Sequence, residues 1–236
     1  MSAFLHRVMR FIKVALLLGI AAFTAVQLWF LGHIAWWTQV NPNTTRFMEL
    51  RLEALRKKDP SARLSHVWIP YERISLNVKR AAVAAEDTRF MQHFGVDWEA
   101  IEKARERNEK RGRVTHGGST ITQQLAKNLF LSGERSYVRK GQELLITWML
   151  EAVMSKRRIL EIYLNVVELG NGVYGVEAGA RHHFGLSANR LEAPEAARLA
   201  AMLPAPRYFD RNPESDSLYQ RSAVIQQRML QVAVPR

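Results

Sequence analysis

Residues 14 to 37 read "VALLLGIAAFTAVQLWFLGHIAWW", a run without Asp, Glu, Lys or Arg. As a helix rising 1.5 Å per residue it would be roughly 36 Å long, enough to cross a hydrocarbon core of about 30 Å. His6, Arg7, Arg10 and Lys13 precede it, and Trp29, Trp36 and Trp37 gather at its far end. Indole rings favour the membrane interface, and a basic flank stays in the cytoplasm. The pattern therefore predicts cytoplasmic residues 1–13, one transmembrane helix over 14–37, and the remaining chain outside the membrane. A cleaved signal peptide would have a shorter apolar region, roughly 7–15 residues, followed by a small-x-small cleavage site. "GHIAWWTQVNP" offers no such site.

In a chain of 236 residues, the segment beyond the anchor is long enough for one domain of ordinary size. The absence of cysteine excludes disulfides, thiolate zinc sites and thiol nucleophiles. An excess of Lys and Arg, 34 against 22 acids, points to anionic partners: nucleic acid, anionic lipid or phosphorylated substrate. Export disfavours nucleic acid. Asn41-Pro42-Asn43 breaks the anchor helix, and Thr44 or Thr45 can cap the next. "RFMELRLEALRKK" has apolar residues at 47, 48, 52 and 55 with basic residues between them. A helix lying on headgroups and a plain linker helix both fit this segment, 44–64. "SHVWIPY" alone has strand character. Beyond Ser75 the signals are helical, near 76–87, 97–109, 119–130, 137–165, 173–184, 194–203 and 215–231, with a kink expected near Ser155. "EKARERNEKRGR" reads as a solvated helix face running into a loop. The fold class is mainly α: one domain over 65–236, tethered to a membrane.

Four stretches can carry chemistry. In "AVAAEDTRFMQHFG" (83–96), Glu86 and Phe90 share a helix face. Glu86 then sits against apolar surface, where desolvation readies a carboxyl to exchange a proton. A solvated acidic helix terminus fits the same spacing. "HGGSTITQQLAKNLFL" (116–131) offers Ser119 or Thr120 as cap and one polar stripe of Thr120, Gln123, Gln124 and Lys127. Hydroxyls, amides and one cation suit sugar hydroxyls and phosphate oxygens, although a capped surface helix reads alike. No Walker loop is present. "GERSYVRKGQELL" supplies Arg135, Arg139, Lys140 and Glu143. An i,i+4 Arg139–Glu143 pair explains one cation. Three cations with Lys127 around one carboxylate make a diphosphate site, with or without a bridging metal. In "KRRILEIYLN" (156–165) the apolar spacing is that of a core helix, with Glu161 as a satisfied buried acid. His182 and His183, adjacent on a helix, point in different directions and make a poor metal pair.

Taken together and in order, these stretches resemble the five motifs of the family 51 peptidoglycan glycosyltransferases. Glu86-Asp87-x-x-Phe90-x-x-His93-x-Gly95 fits the first, and Gly118-Ser119-Thr120-x-x-Gln123-Gln124-x-x-Lys127-Asn128 the second. Arg139-Lys140-x-x-Glu143 fits the third, "KRRILEIYLN" the fourth and "GVYGVEAGARHHFG" the fifth, covering about Ser65 to Pro206. The resemblance implies a lysozyme-like, mainly helical domain that polymerises lipid II into β-1,4-linked strands, with inversion and release of undecaprenyl diphosphate. It places that domain on the periplasmic side of the inner (cytoplasmic) membrane. Glu86 matches the general base and Glu143 the second glutamate. Asp87, Ser119, Thr120, Gln123, Gln124, Lys127, Asn128, Arg135, Arg139 and Lys140 match substrate-binding positions. A divalent cation, Mg or Mn, is often associated with the donor diphosphate in such sites; no metal ligands are assigned. Partners implied are lipid II, the growing strand, membrane lipids and other cell-wall synthesis proteins.

Two other readings fit the residues less well. A lysozyme-like hydrolase must protonate a sugar alkoxide and needs an acid beside it. Diphosphate leaves readily and needs charge stabilisation instead, which the cations at 127–143 supply. A silent scaffold in a synthesis complex would not need intact glutamates and lysines. A penicillin-binding domain needs Ser-x-x-Lys, and no serine here has lysine three places on. The match is to the monofunctional type. His182-His183-Phe184 and His116 depart from the usual residues.

Overall fold

A computed structural model describes residues 2–112, 118–134 and 136–236. The chain divides after residue 40 into two units. The first is one helix, α1 (Ser2–Trp36). Its 35 residues make it about 52 Å long. It includes the basic residues at 6–13 as well as the apolar run, and from Phe4 to Trp36 it is long and apolar enough to cross a membrane.

The second unit runs from Asn41 to Arg236, and its helices begin where a hydroxyl or carboxylate can take up an otherwise orphaned N–H. Thr45 caps α2 (Arg46–Arg56), Ser75 caps α3 (Leu76–Glu86) and Asp97 caps α4 (Trp98–Arg111). Thr120 opens α5 (Ile121–Phe130) with a full capping box: its hydroxyl accepts from Gln123 N while Gln123 Oε1 accepts from Thr120 N. Ser136 caps α6 (Tyr137–Val153) and Ser155 caps α7 (Lys156–Val166). The kink expected near Ser155 is thus a complete break. Ser155 is extended and its hydroxyl accepts from Arg158 N at 3.2 Å, which starts a new helix.

Three short strands lie in the order β1 (Ser65–His66), β3 (Val173–Tyr174), β2 (Glu168–Gly170). β1 and β3 are parallel, and β2 and β3 antiparallel. Sequence periodicity places a helix start at 173. Instead Val173 and Tyr174 are strand, and α8 (Val176–Phe184) starts after Gly175. α9 (Ala193–Ala201) and α11 (Asp216–Arg228) match expected helices, whereas the six-residue α10 (Pro206–Arg211) is an addition.

α3 packs on α9 and α11, and α5 on α6 and α7. Tyr163, Tyr174, Phe90 and Ile121 are among the fully buried side chains. Asn165, buried on α7, clips the 66–71 segment in place: Oδ1 accepts from Ile69 N and Nδ2 donates to Ile69 O. Glu161 is satisfied as expected, taking Tyr71 N and Arg158, but it is half-buried rather than buried. α2 packs on α5. Its Met48 is buried and Phe47 lies 5.5 Å beneath the Lys127 ammonium, so these apolar residues face the domain.

Candidate active site

Glu86 ends α3, and the chain turns immediately. The next residue, Asp87, is buried and holds two elements together. Its Oδ1 bonds His93 Nε2 at 2.8 Å, and its Oδ2 accepts from Ile121 N, the first amide of α5, at 3.1 Å. An acid at a helix start complements the orphan amides there. Phe90 is fully buried under Lys156, whose Nζ stands 4.5 Å from the ring centre. Gly95 completes the turn at φ +79°; its carbonyl accepts from Thr120 Oγ1 at 2.6 Å, and a Cβ there would lie 2.6 Å from Thr147 Cγ2. Only glycine fits that approach.

This turn seats the Glu86 carboxyl in the wall between α3 and α5. Its Oε2 accepts from Gln124 Nε2 at 2.6 Å, and Gln124 Oε1 in turn accepts from Tyr163 OH at 3.1 Å. Burial holds the Tyr163 phenol protonated far up the scale, so it donates and fixes which way the Gln124 amide points. Burial also raises the Glu86 carboxyl above its ordinary value. The Gln124 hydrogen bond, then Arg221 and Lys127, pull it part of the way back. Such a carboxyl is a stronger base than a solvated one.

Across α5 lies the cationic half. Lys127 lines a cleft of about 520 Å³ together with Gln124, Asn128, Arg139, Glu168 and Arg207. Burial lowers the Lys127 ammonium, Arg139 and Lys140 push it the same way, and Glu143 and Glu86 oppose them. Lys127 therefore feels both glutamates. Glu143 is buried on α6; its Oε2 accepts from Arg139 at 2.6 Å and its Oε1 pairs with Lys140.

The structure divides the expected site residues into two groups. Gln124, Lys127, Asn128 and Arg139 line the cleft, and Ser119 is exposed beside α5. Asp87, Thr120 and Gln123 are buried in the capping network and build the wall rather than face the opening. Glu143 sets Arg139 and Lys140 in place. Arg135 and His116 lie outside the described residues. Tyr163 lies within the fourth motif but reads there as a core residue, and Glu168, Arg207 and Arg221 are site residues that the sequence motifs do not mark. Arg207 and Arg221 sit beyond the last motif, where no spacing ties them to Glu86 or Lys127. His182 and His183 do converge, despite their adjacency: their rings stand 4.7 Å apart, with Asp210 bonded to His182 Nε2 and Leu169 O to His183 Nε2.

One raised carboxyl, a neutral amide and a bank of cations around a cleft can deprotonate a hydroxyl while holding an anionic leaving group. A family model described as Transglycosylase matches residues 53–230. A biosynthetic peptidoglycan transglycosylase of Janthinobacterium sp. (strain Marseille) is 57% identical over 89% of this chain and 91% of its own length. That of Dechloromonas aromatica (strain RCB) is 54% identical over 96% of this chain and 98% of its own. That of Herminiimonas arsenicoxydans is 56% identical over 89% and 91%. The chain, mainly helical around a glutamate and a cation-lined cleft, belongs to the transglycosylase family of peptidoglycan glycosyltransferases.

Proposed function

We propose that this transglycosylase extends glycan strands from lipid II, with inversion at the donor carbon and release of undecaprenyl diphosphate. The carrying observation is the half-buried Glu86 carboxyl, held by Gln124, whose side chain lines a cleft together with Lys127 and Arg139. The 4-hydroxyl of the acceptor sugar gives its proton to Glu86 as its oxygen attacks the anomeric carbon of the donor. The bond from that carbon to the diphosphate breaks, and its electron pair leaves on the diphosphate. Attack opposite the leaving group turns an α link into a β link. Lys127, Arg139 and Lys140 stabilise the charge that develops on the diphosphate, which is where the barrier lies for a good leaving group. The proton on Glu86 passes to water once the product moves on.

Both oxygens of Glu143 are paired with Arg139 and Lys140, so these cations carry the neutralising role in this reading. The same pairing argues against a two-carboxylate hydrolase, because Glu143 is committed to Arg139 and Lys140 and is not free to act with Glu86. The basic flank and the apolar α1 support an N-terminus in the cytoplasm and a catalytic domain on the periplasmic face of the inner membrane. The test is full-length protein with labelled lipid II. Ladders of polymer from the wild type and none from folded Glu86→Gln are expected. Cleaved products, or a ladder from Glu86→Gln, overturn the assignment.

A further inference from the structure

A second cavity, of about 460 Å³, opens on the other side of Arg207, and its lining is Arg51, Lys58, Asn171, Arg207, Asp210 and Arg211. Four of those six side chains are cations. Their acids are few and already occupied. Arg51 and Arg207 share one carboxylate, Glu168, at 3.7 and 3.5 Å. Asp210 spends Oδ1 on His182 and Oδ2 on Asn171 N. Arg51 Nε is buried without a hydrogen-bond acceptor. Arg211 Nε donates to the Arg207 carbonyl at 3.1 Å. Neither Arg211 nor Lys58 has an acidic partner among the described residues. Crowding like charges around one opening does nothing for a fold, whereas an anion with several oxygens satisfies all of them together.

The position of these cations narrows the class of anion. Arg51 lies on α2 and Lys58 two residues past its end, and α2 begins ten residues after Trp36, the last residue of α1. Ten residues span at most about 36 Å even when fully extended. If α1 crosses the bilayer, the connecting chain limits how far α2 can stand from the membrane surface. Phe47 and Met48 are turned into the domain, and among the polar side chains of α2 it is Arg51, with Lys58 just past the helix end, that lines this cavity. A lining of charged and amide side chains suits a headgroup rather than an acyl chain.

We propose that this cavity binds the phosphate of an anionic phospholipid headgroup and gives the domain a second attachment to the bilayer besides α1. The site is separate from the cations around Glu143, and it rests on α1 as a membrane anchor.

The experiment is native mass spectrometry of the full-length protein in neutral detergent, titrated with phosphatidylglycerol or phosphatidylcholine. One phosphatidylglycerol should be retained in preference to phosphatidylcholine. Lys58→Ala/Arg211→Ala should weaken it at least tenfold, and Lys58→Arg/Arg211→Lys should bind as the wild type does. Lys103→Ala/Lys110→Ala, which removes equal charge from α4, should leave binding unchanged. Equal retention of the two lipids overturns the proposal, as does an equal loss in the α4 variant or no loss in the Lys58/Arg211 variant. Displacement by inorganic phosphate at lipid-equivalent concentration would reassign the cavity to a soluble anion. Binding is read without turnover, so its failure leaves the transferase reading untouched.

Discussion

Replacing Gln124 by leucine keeps most of the side-chain volume and removes two hydrogen bonds. One runs to Glu86 Oε2 at 2.6 Å, and the other comes from Tyr163 OH at 3.1 Å. A hydrogen bond to a charged acceptor is worth about 1.5–3 kcal/mol net. Its loss falls on the carboxylate and spares the neutral acid, so it adds to the burial that already raises Glu86. At about 1.4 kcal/mol per factor of ten, the fraction of Glu86 available as base on the acid side drops roughly ten- to a hundredfold. The assay is kcat/KM for polymerisation of lipid II from about pH 5 to about pH 9. The deficit should be largest at low pH and should shrink as pH rises and both enzymes carry the carboxylate. Tyr163 OH is left without an acceptor, at a cost of about 1–3 kcal/mol of stability. Gln124→Leu/Tyr163→Phe should therefore recover stability but not low-pH activity. A deficit of equal size at every pH would refute the reasoning, because it would make Gln124 a substrate contact with no hold on the proton.

Arg221→Ala removes the next influence that lowers Glu86. The acid limb of kcat/KM should move to higher pH, less than with Gln124→Leu, with the melting temperature unchanged because the side chain is exposed. Glu86→Gln should make the protein more stable at neutral pH. A carboxyl raised by folding contributes stability below its unfolded titration range and loses it as pH rises through the folded one, so the advantage of the amide over the acid should vanish on acidification. Melting curves at the two ends of that range check the sign. Gly95→Ala places a Cβ 2.6 Å from Thr147 Cγ2 at φ +79°. The expected loss is about 2–4 kcal/mol in urea unfolding, combining backbone strain and overpacking.

The part of the fold legible in the sequence is the part written in local spacing. Capping residues mark the helix starts, the i,i+4 relation joins Arg139 to Glu143, and an uncharged run marks α1. The features that escape it depend on contacts between distant segments. Asp87 and Thr120 look like ligands because acids and hydroxyls are polar. Their work is to cap α5, which becomes visible only once α3 and α5 meet. The strands β2 and β3 are too short to show alternation and exist because β1, a hundred residues earlier, pairs with one of them. Tyr163 reads as a core residue, and its ring is core. The hydroxyl that orients Gln124 acts through the place where α7 lies against α5.

Lys127 links the two halves of the proposed reaction. Its charge is one of the influences that hold Glu86 down, and its own ammonium is disfavoured by burial and by Arg139 and Lys140. A donor diphosphate entering beside these cations brings negative charge, which cancels part of the field that Lys127 exerts on Glu86. Glu86 then becomes a stronger base when the donor is in place, and weaker again when the diphosphate departs. The consequence is measurable. kcat reports the substrate-bound enzyme and kcat/KM the free one, so the acid limb of kcat should lie at higher pH than that of kcat/KM. In Lys127→Met both limbs should move to higher pH, because that variant lacks one of the charges that hold Glu86 down, while the donor charge still separates them. Coincident limbs in the wild type would mean that the donor charge never reaches the base, and Lys127 would then serve the leaving group alone.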